Sequence, residues 1–265
     1  RRGMEVEHIE PPSNKSDLTV FFELFPSSKM ARYIANLVED AYRHFVFHVA
    51  YHTLYIFCVV DLSSFYFDVL KDRLYVSAPD STERKAAQSS LFQIADTLVR
   101  LLAPILPFTS EEIWTHLYTQ HAPNESVHMT KFSKTIDQHI DKQLLEHWEP
   151  LLNMRTLVSR ALEESREKKE IGSSLEAKVT IHCGSEAYTY LQNFTADLHF
   201  LFIVSDVDLI QSDQLTGMDI QCAVTLALGE KCERCWNHCT SVGTHADCVQ
   251  VCSRCYTILQ KTGNL

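Results

Sequence analysis

Apolar positions recur at helical spacing through the first half of the chain and at a spacing of two beyond residue 175. Ile34, Leu37, Val38, Ala41 and Phe45 share one helix face, and the stripe carries on through Val49, His52 and Ile56. A second helix is predicted over Leu62 to Lys71. A third runs from Glu83 to Ala103, with Leu91, Ile94, Ala95, Leu98, Leu101 and Leu102 apolar. Pro104 and Pro107 stop it, since proline has no N–H to give. Thr109 and Glu112 make a T-x-x-E capping box ahead of Ile113, Trp114 and Leu117. Residues 141–171 form a further long helix on Leu144, Leu145, Trp148, Leu151, Leu152, Leu157, Val158, Ala161 and Leu162, bent at Pro150 and ended at Gly172. From Leu175 the alternation of Ala177, Val179, Ile181 and Cys183 with Lys178, Thr180 and His182 predicts a half-exposed strand. Ile220 to Leu228 repeats the pattern, Leu201 to Val204 reads as a short strand, and Ala187 to Phe194 as a helix between them.

The predicted fold is mainly α. A helical bundle at 31–150 is followed by a long helix and small α+β junction at 151–229, and by a terminal module at 230–265. Residues 1–30 stay an unassigned leader, with loop-like Pro11 to Asp17 and an apolar run, Leu18 to Phe25, of no clear period.

Composition narrows this. The 265 residues are 45% apolar and 22% charged, ample for one to three packed domains. A formal charge of −10 argues against a general polyanion binder, though a local basic face still attracts phosphate. The apolar run Phe45 to Val60 is broken by His48 and His52 and is shorter than the roughly 20 residues of a bilayer span. It reads as a buried helix, with no membrane expected and no secretory signal at the start. Six of nine cysteines crowd between Cys232 and Cys255, while Cys58, Cys183 and Cys222 stand alone. Such crowding favours metal over disulfides and a reducing, cytoplasmic setting.

The crowd has a pattern. Cys232-Glu233-Arg234-Cys235, sixteen residues, then Cys252-Ser253-Arg254-Cys255 is C-x2-C…C-x2-C at zinc-ribbon spacing. Two residues between thiolates let a tight turn aim both sulfurs at one ion, and two such turns complete a tetrahedron. One structural Zn2+ is expected, with no open position for catalysis. Cys239, Cys248, His238 and His245 lie inside the loop without paired spacing and are spares. Lys231, Arg234 and Arg254 flank the ligands and offset their negative charge. Trp236 follows the first turn, either as a cap on the metal core or as a stacking platform for an unpaired base. His44, His48 and His52 recur every four residues, but no acidic or sulfur partner completes a set, and helix packing is the simpler reading. No nucleophile elbow, Walker loop or Rossmann fingerprint occurs, and no catalytic residue is assigned.

Five stretches together resemble bacterial-type isoleucyl-tRNA synthetases. They are Asp61 to Tyr75 (DLSSFYFDVLKDRLY), Leu101 to Trp114 (LLAPILPFTSEEIW), Ala161-Leu162-Glu163 with Ile171 to Ala177 (IGSSLEA), Leu201 to Ser205, and Lys231 to Trp236 (KCERCW), in family order. The resemblance implies an anticodon-binding helical domain, a junction and a zinc module that clasp the anticodon stem-loop of an isoleucine tRNA. The family's enzymes use ATP to attach isoleucine to tRNA, through a nucleotide-binding domain with HIGH and KMSKS motifs. Neither motif occurs in this chain, and Ser28-Lys29-Met30 is no substitute, so the chain alone should neither aminoacylate nor edit. A monomer that binds no DNA is expected. Lys71, Arg73, Arg84, Lys85, Arg155, Arg166, Lys168 and Lys169 are candidates for stem phosphates. Trp236 and Arg234, with Lys231, are candidates for the loop. The alternatives are a free-standing tRNA-binding protein acting in trans and a zinc-ribbon nucleic-acid protein of the DNA-repair type.

Overall fold

A computed structural model describes residues 34–118, 126–132 and 142–265, with side chains from Trp148 onward in the last stretch. The expected leader and the apolar roles of Leu144 and Leu145 lie outside the described residues.

Helix α1, Asn36–Arg43, buries Val38 and Ala41. The stripe expected to run unbroken into Ile56 is interrupted at Phe45, whose φ of +59° turns the chain before helix α2. Helix α2 is a single 30-residue helix, Phe47–Val76, and not two. Its buried positions Ala50, Leu54 and Phe57 step by five to Leu62, then on to Phe65, Tyr66, Val69 and Leu70. The step fits the π-helical turns over Phe57–Tyr66, where i→i+5 bonding admits one extra residue per turn. Asp61, Ser63 and Ser64, which suggested a boundary, sit inside the helix. By length and composition α2 is therefore long and apolar enough to cross a membrane, which corrects the shorter estimate. Phe47, Tyr51, Tyr55, Val59 and Val60 along it are exposed, and so are His44, His48 and His52, so the three histidines are not core residues.

The chain divides into two compact units. In the first, helix α3 (Thr82–Leu102) and helix α4 (Pro107–Tyr118) enclose a core of Val99, Ala103, Trp114 and Val127. Pro107 is the first residue of α4 and not a stop after α3, because a first-turn N–H has no helical partner to lose. The expected capping box lies within that turn. A polar network fastens α3 to α4. Arg100 Nε donates to both Asp96 oxygens at 3.0 and 3.1 Å, and Tyr118 Oη donates to Asp96 at 2.6 Å. The Arg100 guanidinium also lies 4.7 Å from the Trp114 ring centre. Burial, then the Asp96 hydrogen bond, pushes Tyr118 up to about 12, so this donor stays protonated.

In the second unit, helix α5 (Lys142–Glu167) runs on through Pro150 and buries Trp148, Leu151, Met154, Val158 and Leu162 at helical spacing. It ends at Glu167, and Lys169 (φ +61°), not Gly172, takes the left-handed position. Gly172 instead leaves room for Glu176, whose Oε2 accepts the Gly172 N–H at 2.8 Å and whose pKa that bond lowers. Strand β1 (Ala177–Cys183) is central, parallel to β2 (Asp206–Gln211) and antiparallel to β3 (Ile220–Leu226). Its Ala177, Val179, Ile181 and Cys183 face inward, as the alternation requires. The crossover to β2 holds helix α6 (Ser185–Gln192) and helix α7 (Leu198–Phe202). The expected strand at 201–204 is thus the end of α7. Ile203 stops it at φ +57°, and β2 follows. A four-residue apolar run is too short for periodicity to separate strand from helix. The two-stranded hairpin of β4 (Glu230–Lys231) and β5 (His238–Cys239) and helix α8 (Ser253–Thr262) close the chain.

Candidate metal centre and nucleic-acid interface

The first C-x2-C turn hangs from β4 and the second opens α8. Cys232 N–H bonds Asn237 O at 2.9 Å, Trp236 N–H bonds Cys232 O at 2.8 Å, and Cys252 N–H points at Cys232 Sγ at 3.3 Å. These bonds fold the knuckles so that the sulfurs of Cys232, Cys235, Cys252 and Cys255 lie within 4.8 Å of one another. Sulfurs at about 2.3 Å from a tetrahedral ion would stand about 3.8 Å apart. Cys235 and Cys252 are 3.8 Å apart. Cys232, Cys252 and Cys255 are buried and Cys235 is half-buried.

Thiols this close cannot all ionise unaided. Hydrogen bonds from Cys235, then Cys239 and Cys255, hold Cys252 far below the usual thiol range. The contact with Cys252 pushes Cys235 up to about 11, and the contact with Cys235 pushes Cys255 up. A metal ion held by Cys232, Cys235, Cys252 and Cys255 would supply the positive charge that lets every sulfur act as a thiolate. Arg234 turns toward Cys255, with Nη1 buried and without a hydrogen-bond partner of its own. The donor set therefore fits a metal ion, with a cation already placed against it.

The flanking cations divide by role. Arg254, expected to offset the charge of the ligands, is engaged chiefly by a carboxylate. Its guanidinium forks onto Asp72 at 2.6 and 2.8 Å and lies 5.4 Å from the Phe200 ring centre. Val76 joins the same join by packing with Cys232, Val251, Cys252 and Cys255. Lys231 is exposed and holds its ammonium 4.8 Å from the centre of the Trp236 ring. Trp236 is 59% exposed at φ +67°, so it does not cap the metal core. A bulky residue in that region carries strain of order 1–3 kcal/mol.

The other expected contacts are scattered. Arg73 is only 7% exposed, because the α2 register points it inward with Val69, Leu70 and Val76, so it is no surface phosphate ligand. Arg155 is half-buried and donates to Leu201 O at 3.3 Å, and Arg84 donates to Ser77 O at 3.3 Å. Arg166 pairs with Glu163 and reaches Ser174 Oγ at 3.0 Å. Lys71, Lys85, Lys168 and Lys169 are exposed. Sequence reasoning missed the Arg254–Asp72 fork, whose partners are 182 residues apart and carry no local signal.

Comparison with known proteins converges on one family. The family model for the anticodon-binding domain of tRNA ligases matches residues 28–181. The isoleucine–tRNA ligase of Syntrophotalea carbinolica is 45% identical over 232 residues, 85% of this chain and 25% of that protein. The isoleucine–tRNA ligase of Carboxydothermus hydrogenoformans is 41% identical over 241 residues, 89% and 26% of the two chains. That of Haemophilus ducreyi is 40% identical over 230 residues, 83% and 24%. The chain spans about a quarter of the length of these relatives. With more than half of its residues matched by the family model, the chain belongs to the anticodon-binding domain family of tRNA ligases.

Proposed function

We propose that this chain is the anticodon-reading part of an isoleucine–tRNA ligase, the enzyme that uses ATP to attach isoleucine to its tRNA. The observation that carries the reading is Trp236. In a chain of the anticodon-binding family, it offers an exposed indole on a strained backbone beside the metal knuckle, with Lys231 over its ring. An unpaired loop base stacks on the indole face, and base–aromatic stacking is worth about 1–3 kcal/mol. Lys231 adds a cation within reach of the neighbouring phosphate. Lys71, Lys85, Lys168 and Lys169 meet stem phosphates, which position the RNA without reading it. Arg234 and Arg254 act through the metal module, as charge compensation and as an anchor.

The metal is Zn2+, one per chain, held by Cys232, Cys235, Cys252 and Cys255. Its chemistry is a closed four-thiolate crosslink that folds the tip. No residue of this chain acts on ATP or isoleucine. The helix Phe47–Val76 lies within the family match and belongs to the helical domain, not to a membrane. The protein works as a cytoplasmic monomer.

The test is binding of the chain to an isoleucine tRNA and to the same tRNA with a changed anticodon, across salt. Preference for the native anticodon that survives physiological salt is expected. Equal binding to both, lost steeply as salt rises, would reduce the interaction to phosphate contacts and overturn anticodon reading.

A further inference from the structure

Where α3 ends, the first unit holds a cavity of about 160 Å3. Its apolar wall is Ala103 and Pro104 from the helix end, with Val127 and Phe132 from the segment that carries the short helical turn Val127–Met129. Glu111 of α4 fixes that turn, since its Oε2 accepts from Ser126 Oγ at 2.8 Å and from the Val127 N–H at 3.1 Å. Phe132 is fixed as well. Its ring stacks on Tyr42 with 5.9 Å between centres and 14° between planes, and Tyr42 Oη donates to Leu101 O at 2.6 Å. Two polar groups complete the wall. Arg100 is held by Nε and Nη2 on Asp96 and by Nη1 on Lys131 O at 3.2 Å, and a guanidinium with five N–H groups has donors left for a ligand. Thr130 Oγ1 donates to Val127 O at 2.6 Å, so its lone pairs remain as acceptors. Lys131 is exposed and lines the same cavity.

These features select among ligands. The volume is well below the roughly 300–1,000 Å3 of a site for a drug-sized molecule and suits a single ring system. A bare phosphate offers acceptors only and would make no use of the Phe132 ring or of Thr130. An apolar side chain would leave Arg100 and Thr130 unmet. A nucleobase meets all three, with a π-face for Phe132 and an edge that both donates and accepts. We propose that the cavity takes one unpaired nucleobase of the bound tRNA, stacked on Phe132 and read at its edge by Arg100 and Thr130, with Lys131 on its phosphate. This subsite rests on the reading of the chain as tRNA-binding, and it needs neither Trp236 nor a metal ion.

The test uses the full chain bound to an isoleucine tRNA. Ultraviolet light joins a base to an aromatic side chain stacked on it, and mass spectrometry maps the adducts. A nucleotide adduct on Phe132 is expected, and it should persist in Trp236→Ala when tRNA saturates that variant. Phe132→Leu keeps an apolar chain against Tyr42. It is expected to lose the adduct and to weaken tRNA binding by about 5- to 150-fold, with the thermal midpoint of the unbound chain kept. Lys131→Gln should keep the adduct and lower the salt slope of binding by about 0.7. Bound tRNA whose adducts all lie away from Phe132 would overturn the subsite and leave the reading at Trp236 standing. So would full affinity in Phe132→Leu. If Phe132→Leu fails to fold, the adduct on the unsubstituted chain decides. No tRNA binding by the unsubstituted chain would overturn the tRNA reading and the subsite together.

Discussion

The α3–α4 region and the cysteine-rich tip are built in different ways. Between α3 and α4, Val99, Ala103, Trp114 and Val127 form a core, and the Asp96–Arg100–Tyr118 network closes its polar edge. Burial of apolar area, at about 25 cal/mol per Å2, and ordinary hydrogen bonds suffice there. The tip has two-residue strands and one ten-residue helix, and its buried residues are Cys232, Val251, Cys252 and Cys255 with Val76 from α2. Three of those five are thiols of the metal set. The comparison teaches that the tip's core is largely its cluster of four cysteines, a set that could hold a metal ion, so the tip stands on very few apolar side chains.

Metal removal should separate the two regions most sharply. Structural zinc binding is worth about 10–16 kcal/mol in small zinc modules. Chelation is expected to abolish amide protection over β4, β5 and α8 in hydrogen exchange while leaving α3 and α4 protected. Retained protection in the tip without metal would mean that it has a core of its own.

Asp72→Ala should come next. It removes a bidentate, charge-assisted partner and leaves Arg254 over Phe200 without its carboxylate. A loss of about 1.5–3 kcal/mol in the unfolding of the tip is expected, read as a lower denaturation midpoint for the metal-loaded chain. An unchanged midpoint would show that the fork contributes nothing.

Trp236 separates stability from binding. Trp236→Ala should weaken tRNA binding by about 1–3 kcal/mol with the metal retained. Trp236→Gly should bind as poorly yet raise the tip's stability by about 1 kcal/mol, because glycine accepts the positive φ without strain. Loss of metal or of folding in either variant would return Trp236 to a structural role. The smallest effect belongs to Lys231→Gln, about 0.5–1 kcal/mol from its contact with the indole. It should also lower the salt slope of RNA binding by about 0.7, measured as binding against log salt.

Local chemistry was legible in the sequence, and long-range geometry was not. The cluster of Cys232, Cys235, Cys252 and Cys255 follows from the paired two-residue spacing, and strand β1 follows from its strict alternation, because both depend on neighbours a few residues away. The unbroken α2 was hidden because π turns shift the buried face by one residue near Asp61, which breaks the 3.6 period used to find it. Arg73 looked like a surface cation for the same reason. Strand β2 was misplaced because Leu201 to Val204 is more apolar than Asp206 to Gln211, although the latter has the partner strand. The exposure of Trp236 and the inward turn of Arg234 depend on a backbone reversal beside the knuckle that spacing does not encode.

The most direct measurement is a two-by-two binding experiment. The metal-loaded chain and its Trp236→Ala variant are each titrated with an isoleucine tRNA and with that tRNA carrying a changed anticodon, at physiological salt. Anticodon reading at the tip predicts that the unsubstituted chain prefers the native anticodon about tenfold and that the variant has lost most of that preference. A preference of the same size in both proteins would contradict it and place the reading elsewhere on the chain.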